Sequence, residues 1–172
     1  MLEQQNGSDA FVLLELAGTT YSVRSRLVEQ MEMIEHITPV PNAAPAVEGV
    51  VFSRGRVIPA INLRVRFGFE RVPLDLRTRL VVVSVGERTI GLIVDTAREF
   101  ISIPAEAIQP PSEAMSGLSG KYVEGIATIG DRIVLILNLD EVINLAELIE
   151  EDQQAAVGAR PEGSVERSLE CD

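Results

Sequence analysis

Residues able to carry chemistry are scarce in this sequence. It holds one histidine, His36, and one cysteine, Cys171, close to the C-terminal end. A Ser–His–Asp or Cys–His system needs its imidazole beside a positioned nucleophile. His36 lies in the stretch Met33–Val40, where nothing marks it as an activated base. A structural zinc site takes about four Cys or His ligands and a disulfide takes two thiols, so one chain supplies neither. The stretch Ser116-Gly117-Leu118-Ser119-Gly120-Lys121-Tyr122 has a faint phosphate-loop look. It fails on mechanism, because Met115 stands where the first glycine is needed and Tyr122 replaces the hydroxyl that holds Mg²⁺. The acids do not fall into the spacing of a calcium loop. No catalytic residue, metal ligand or cofactor is expected, which points to a binding module.

The elements that would position such a binding surface are mostly strands. Phe11–Leu16 and Tyr21–Val23 flank Ala17-Gly18-Thr19, and Arg79–Val85 and Thr89–Val94 flank Gly86-Glu87-Arg88, so both stretches read as β-hairpins. Val50–Phe52, Arg56–Ile61, Phe100–Ile103, Tyr122–Thr128 and Arg132–Leu137 are further strand-like runs. Many short strands with glycine-bearing turns indicate barrels or sandwiches. Helical spacing is confined to Leu27–Met31, Leu63–Phe67 and Leu139–Glu150. In the last, Asn138 is placed to N-cap, with Glu141 completing a capping box.

Shifting the chain by 76 residues lays Gly49–Leu63 over Gly125–Leu139 without gaps, with the Gly, Arg, Asn and Leu positions coinciding. One hairpin lies upstream of each copy, at an offset of 68 or 69. Each half therefore reads as hairpin, connector, strand–turn–strand and short helix, and the expectation is an all-β chain of two similar barrel subdomains. The folded body is expected over residues 10–150, with a flexible arm at 1–9 and an acidic disordered tail at 151–172.

Charge refines this picture. The 172 residues carry 15 Lys+Arg against 26 Asp+Glu, a formal net charge of −11. Glu147 to Asp172 contribute eight acids and two arginines to it. Beyond about Asp152 large apolar residues are few, and that composition cannot offset the entropy of ordering. Residues 51–79 hold seven arginines (54, 56, 64, 66, 71, 77 and 79) against Glu70 and Asp75, a local +5 suited to steering a partner. The alternative is an Arg-rich surface that merely balances the acidic segments. Overall acidity argues against nucleic acid. With five Phe, two Tyr and no Trp, stacking residues are also few, and Phe11, Tyr21, Phe52, Phe67 and Phe100 are expected in the core. A single-stranded nucleic-acid barrel using the Arg54–Arg79 segment is kept as an alternative. The start of the chain lacks a signal-peptide pattern and no apolar run is long enough to span a bilayer, so a cytoplasmic protein without membrane insertion is expected.

The stretch Ile37-Thr38-Pro39-Val40-Pro41-Asn42-Ala43-Ala44-Pro45-Ala46-Val47-Glu48-Gly49-Val50-Val51-Phe52-Ser53-Arg54-Gly55-Arg56-Val57-Ile58-Pro59-Ala60-Ile61-Asn62-Leu63-Arg64 resembles the CheW-type coupling proteins of bacterial chemotaxis. The resemblance continues in Gly91–Asp95, Ile108–Pro111, Tyr122–Gly125 and Leu137–Leu139. It implies two five-stranded SH3-like barrels with short helices and a C-terminal helix. It also implies a non-enzymatic adaptor, associated with membrane-bound receptor arrays, that joins the cytoplasmic hairpin tip of chemoreceptors to the regulatory domain of the chemotaxis histidine kinase. Receptor contact would involve Val28, Gln30 and Met31 on a strand, Gly49, the turn Arg54-Gly55, and Phe100. Kinase contact would involve Val57 and Ile58. A kinase-binding decoy that binds no receptor is a second alternative.

Independently of the resemblance, a Gly after Arg54 can take φ > 0 and let the arginine project as a planar five-donor fork. Three positions depart from the family pattern. Gln30 stands where Glu is usual, Phe52-Ser53 where Asn-Leu precedes Arg-Gly, and Asn62 where Asp precedes Leu-Arg. They put partner choice in question and suggest a divergent copy serving an alternative array.

Overall fold

A computed structural model of the chain describes residues 8–113 and 120–144. The acidic tail, most of the arm and the part of the expected C-terminal helix beyond residue 144 lie outside the described residues, as does most of the stretch 116–122. Among the described residues there are eleven strands: β1 (Ser8–Leu16), β2 (Thr19–Arg24), β3 (Val28–Glu32), β4 (Val47–Ser53), β5 (Arg56–Asn62), β6 (Arg79–Val85), β7 (Arg88–Val94), β8 (Thr96–Pro104), β9 (Ile108–Gln109), β10 (Val123–Ile129) and β11 (Arg132–Leu137). Two short helices follow the strand pairs, α1 (Leu63–Arg66) and α2 (Leu139–Val142). The strands form a five-stranded sheet in the order β3-β6-β7-β5-β4 and a six-stranded one in the order β8-β1-β2-β11-β10-β9, of which β9 has only two residues.

The 76-residue repeat is obeyed to the residue. It carries β4 onto β10 and α1 onto α2, and both strand pairs shift register at the matching places, Val47/Gly49 and Val123/Gly125. The hairpins follow at 69, so the parallel pair Ala60↔Gly91 is matched by Ile136↔Ser22. The two subdomains expected from the repeat are present as the two sheets, but they do not coincide with the two halves of the chain. Strand β2 pairs with β11 of the second copy, and β7 pairs back with β5 of the first. Between them, β3 leaves the first hairpin to pair with β6, and β8 leaves the second to pair with β1. Each sheet thus takes strands from both halves.

The crossing follows from apolar surface on both faces of the hairpins. In β1 and β6, successive residues such as Phe11–Leu14 and Leu80–Val83 are all buried. A strand with both faces apolar must be covered on both. One face of each sheet encloses a small cluster: Val51, Ile58, Ala60, Leu80, Val82 and Ile93 in one, Phe11, Ile103, Ala127 and Ile136 in the other. The opposite faces meet in one large shared core that includes Val12, Leu14, Val81, Val83, Leu92, Leu63 and Leu139. Each such fully buried side chain contributes about 1.5–3 kcal/mol.

Side chains also fasten the two halves. Arg66 is 5% exposed and donates from Nε to the carbonyl of Val142 at 3.0 Å, the residue 76 positions further on and its own counterpart in the repeat. Its guanidinium lies over the Tyr122 ring at 5.0 Å, and Phe67 packs between Tyr21 and Tyr122. The contact therefore marks the axis relating the halves.

Three local expectations are corrected. Leu27–Met31 is not helical: Ser25–Leu27 form a 3-10 turn and Val28–Glu32 a strand. A bulge between Val28 and Gln30 adds one residue, so Val28 and Met31 pair with Val83 and Val81 and pack on the shared core together. Strand spacing of two plus one imitates helical spacing of three. Asn138 makes no side-chain cap bond, whereas Asn62 at the equivalent position accepts from the Val65 N–H. Tyr122, read as a strand start, ends a 3-10 turn from Gly120.

Candidate functional site

Strands β4 and β5 are joined by Arg54 and Gly55 at φ 46° and 79°, consecutive positive values that define a two-residue turn matching strand twist. A non-glycine residue there carries a modest backbone strain. Arg54 is exposed and makes no hydrogen bond or ion pair among the described residues. Its six arginine neighbours in the 51–79 segment are all engaged. Arg56 pairs with Glu29, Arg64 with Asp95, Arg71 with Glu48 and Arg77 with Asp75, while Arg66 and Arg79 donate to backbone carbonyls. The local +5 is therefore largely neutralised within the fold, and the part left free is one guanidinium. The Arg56 guanidinium also holds the Glu29 carboxyl below its ordinary value.

A two-residue turn dictates the faces of the flanking strands. Phe52 pairs with Val57 and Val51 with Ile58. Phe52 and Val57 point outward, 76% and 67% exposed, and make an apolar pair beside the turn. Ile58 is 1% exposed and belongs to the core beneath, so the expectation that it contacts the kinase alongside Val57 is corrected. Neighbouring residues of a strand face opposite ways. Gly49 is likewise buried. A Cβ there would stand 2.1 Å from the Thr38 carbonyl oxygen, and φ is +149°, so glycine is needed for the connector to approach β4. That approach is sealed by Thr38 and Val50, which exchange two backbone hydrogen bonds of 2.8 Å. Gly49 acts here through the backbone path, with no side chain to offer a partner.

The five-stranded sheet is curled enough that its outer strands meet through side chains. Gln30 of β3 donates to Ser53 of β4, the Ser53 hydroxyl donates to Glu32 Oε2 at 3.1 Å, and Gln30 also reaches Glu32 Oε2 at 3.1 Å. Two departures from the family pattern, Gln30 and Ser53, are thus one structural feature. Along this seam runs a groove of about 410 Å³ lined by residues including Glu32, Met33, His36, Phe52 and Arg54. The third departure, Asn62, donates to Glu48 Oε1 at 2.9 Å, while Arg71 binds the same carboxylate and the Pro45 carbonyl.

The candidate residues fall into separate places. Gln30, Arg54 and Gly55 lie around the seam; Val28 and Met31 are half-buried and support β3 on the core. Phe100 is on β8, the edge of the other sheet, 64% exposed and absent from the lining of the groove. Phe52 and Phe100 are both surface residues, against the expectation that the aromatics pack inside. Their exposure was readable for Phe52 from the turn register alone, but for Phe100 it depends on β8 forming an edge. Met33, 53% exposed at the groove, carried no sequence signal. Among the described residues no group of three His, Cys, Asp or Glu is placed to hold a metal ion.

At the rim of the junction Asp95 receives Arg64 Nε at 2.7 Å and Nη2 at 2.6 Å, and the Ala17 N–H at 3.0 Å. Burial pushes the Asp95 carboxyl up, but the Arg64 and Ala17 bonds outweigh it and hold it below its ordinary value. These bonds tie the β1–β2 turn to α1 across the two sheets.

The chain is similar to known proteins in sequence and in fold. The chain is 27% identical to the chemotaxis protein CheW of Klebsiella aerogenes over 138 residues, 80% of this chain and 83% of that one. It is 33% identical to CheW of Helicobacter pylori over 115 residues, 66% and 69% of the two chains. The crystal structure of the scaffolding protein TtCheW from Thermoanaerobacter tengcongensis matches with a TM-score of 0.74 and 29% identity, over 79% of this chain and 92% of that chain. The CheW-like domain family matches residues 10–147, which takes in both crossed sheets and the seam between β3 and β4, and the chain belongs to that family.

Proposed function

We propose that the protein is a non-enzymatic chemotaxis adaptor that couples the cytoplasmic hairpin tip of a chemoreceptor to the regulatory domain of the chemotaxis histidine kinase. The observation that supports this most is the pairing of a rigid turn, presenting the unpaired Arg54, with the exposed apolar couple Phe52 and Val57. An exposed apolar pair beside a charged fork suits a protein interface with an apolar centre and a polar rim. In this reading Gln30, Arg54 and Gly55 meet the receptor from one sheet and Phe100 from the other. Val28, Met31 and Gly49 hold the strand and connector in place, and Val57 meets the kinase. Internal pairing of the arginine segment leaves little for a phosphate backbone, which removes the support for a nucleic-acid barrel. No helix among the described residues is long and apolar enough to cross a membrane, and an adaptor of this kind reaches the array through its receptor.

Separate titrations test the reading. Arg54→Ala keeps the unfolding transition and weakens binding of a soluble receptor-hairpin fragment by roughly tenfold or more, as loss of a charge-assisted bond does. Val57→Lys keeps receptor binding and weakens binding of the kinase regulatory domain. Unchanged affinity in both variants, or failure of the parent protein to bind either partner, would overturn the assignment.

A further inference from the structure

The seam groove contains an electrostatic pattern that the fold leaves incomplete. Glu32 is half-buried, and its Oε2 receives a neutral amide from Gln30 and a neutral hydroxyl from Ser53. No cation pairs with it among the described residues, and Oε1 has no partner there. Ser53 is 4% exposed and Gln30 half-buried, so the carboxylate is held in place by groups that cannot neutralise it. Its orientation is fixed in advance, which lowers the cost of binding a cation. Arg54, on the same groove, pairs with neither Glu32 nor Glu35. Phe52 and Met33, 76% and 53% exposed, supply apolar wall between them. The groove thus offers one unpaired guanidinium and two unpaired carboxylates, of which Glu32 is the one fixed by the seam while Glu35 is exposed, with exposed apolar surface beside them.

The backbone decides how a partner can enter. The outer edge of β4 is already taken at Val50 by Thr38, leaving only the residue or two before the turn open. A strand added to β4 would find too few free N–H and C=O groups to pair with, since strand addition relies on a run of main-chain bonds. A segment that docks through side chains, such as the end of a helical hairpin, fits instead.

We propose that this groove selects its helical partner through Glu32, which takes an arginine or lysine of the partner while Arg54 takes a carboxylate. Partner segments lacking a cation at that place are then rejected. This rests on the receptor-binding reading above and adds to it the residue that sets specificity: the cation-reading carboxylate of this chain is at position 32, with residue 30 serving to orient it.

The test uses the full chain and a soluble receptor-hairpin fragment. Glu32→Gln preserves the shape and can still accept from Gln30 and Ser53, so its unfolding midpoint stays with the parent's. Its affinity for the fragment falls roughly tenfold, and the salt dependence of binding becomes shallower. An alanine scan of the fragment's arginines and lysines then finds one position whose loss weakens the parent protein but not the Glu32→Gln variant. Parent-like affinity of Glu32→Gln, or losses that add at every fragment position, would overturn the proposal while leaving the adaptor reading standing. A parent protein that binds no receptor fragment would instead overturn the adaptor reading.

Discussion

Restoring the aspartate usual in the family at position 62 is expected to destabilise this particular chain. Asn62 is 4% exposed and its amide donates to Glu48 Oε1 at 2.9 Å, so a carboxylate in its place removes a hydrogen bond to a charged group and opposes two negative charges. The lost bond is worth about 1.5–3 kcal/mol. At that separation and an effective dielectric of about 20, the repulsion approaches about 6 kcal/mol. Proton uptake by the new carboxyl caps that repulsion at about 4 kcal/mol near pH 7, at about 1.4 kcal/mol per pH unit above its ordinary value. Arg71 stays on Glu48 and offsets part of the rest, and an aspartate caps α1 about as well as asparagine does. The expected net loss for Asn62→Asp is about 2–3 kcal/mol near neutral pH. The introduced carboxyl has a raised folded-state value, so its protonated form is the stable one. The deficit is therefore small near pH 4 and grows as pH rises through the raised value. Urea unfolding of parent and variant at about pH 4.5 and pH 7 reads both quantities. Adding Glu48→Gln should recover most of the loss. A variant within about 0.5 kcal/mol of the parent at neutral pH, or a deficit indifferent to pH, would refute the pairing of Asn62 with Glu48 as the reason for the departure.

Three further outcomes follow from the same geometry. Ser22 is fully buried and its Oγ has no hydrogen-bond partner, while the matching position of the other hairpin is Gly91; Ser22→Ala should raise the unfolding free energy by about 1 kcal/mol. Gly49→Ala would set a Cβ against the Thr38 carbonyl and should cost at least about 3 kcal/mol, with faster amide exchange at Thr38 and Val50. Asp95 lies below its ordinary value in the folded state, so its contribution is present above about pH 4 and lost as pH falls through the lowered value. Asp95→Asn should lower stability near neutral pH by about 2 kcal/mol and flatten the acid limb of the stability curve.

Much of the seam was visible as isolated residues before it was visible as a site. Arg54-Gly55 could be placed on a turn because a two-residue loop between β-branched runs has few conformations. The same register, carried two residues further, separates outward Val57 from inward Ile58. The contact of Gln30 with Ser53 was not legible, because those residues lie on strands at opposite edges of one sheet and meet only through its curl. The helical reading of Leu27–Met31 failed for a similar reason: a bulge changes the period without leaving a mark in residue type.

By itself the sequence determined the strand hairpins, the 76-residue repeat, the absence of paired cysteines and the family pattern, since each is a property of residues close together or in fixed order. Tertiary structure decided which hairpin completes which sheet and which arginine stays free. Hairpins apolar on both faces need a cover that the local pattern does not name, and the fold covers each by crossing the halves over a shared core. Seven arginines in one segment read as a single patch of charge along the chain. Folding brings Glu29, Glu48, Asp75 and Asp95 to four of them and backbone carbonyls to two more, and the recognition surface is reduced to Arg54 and what lies beside it.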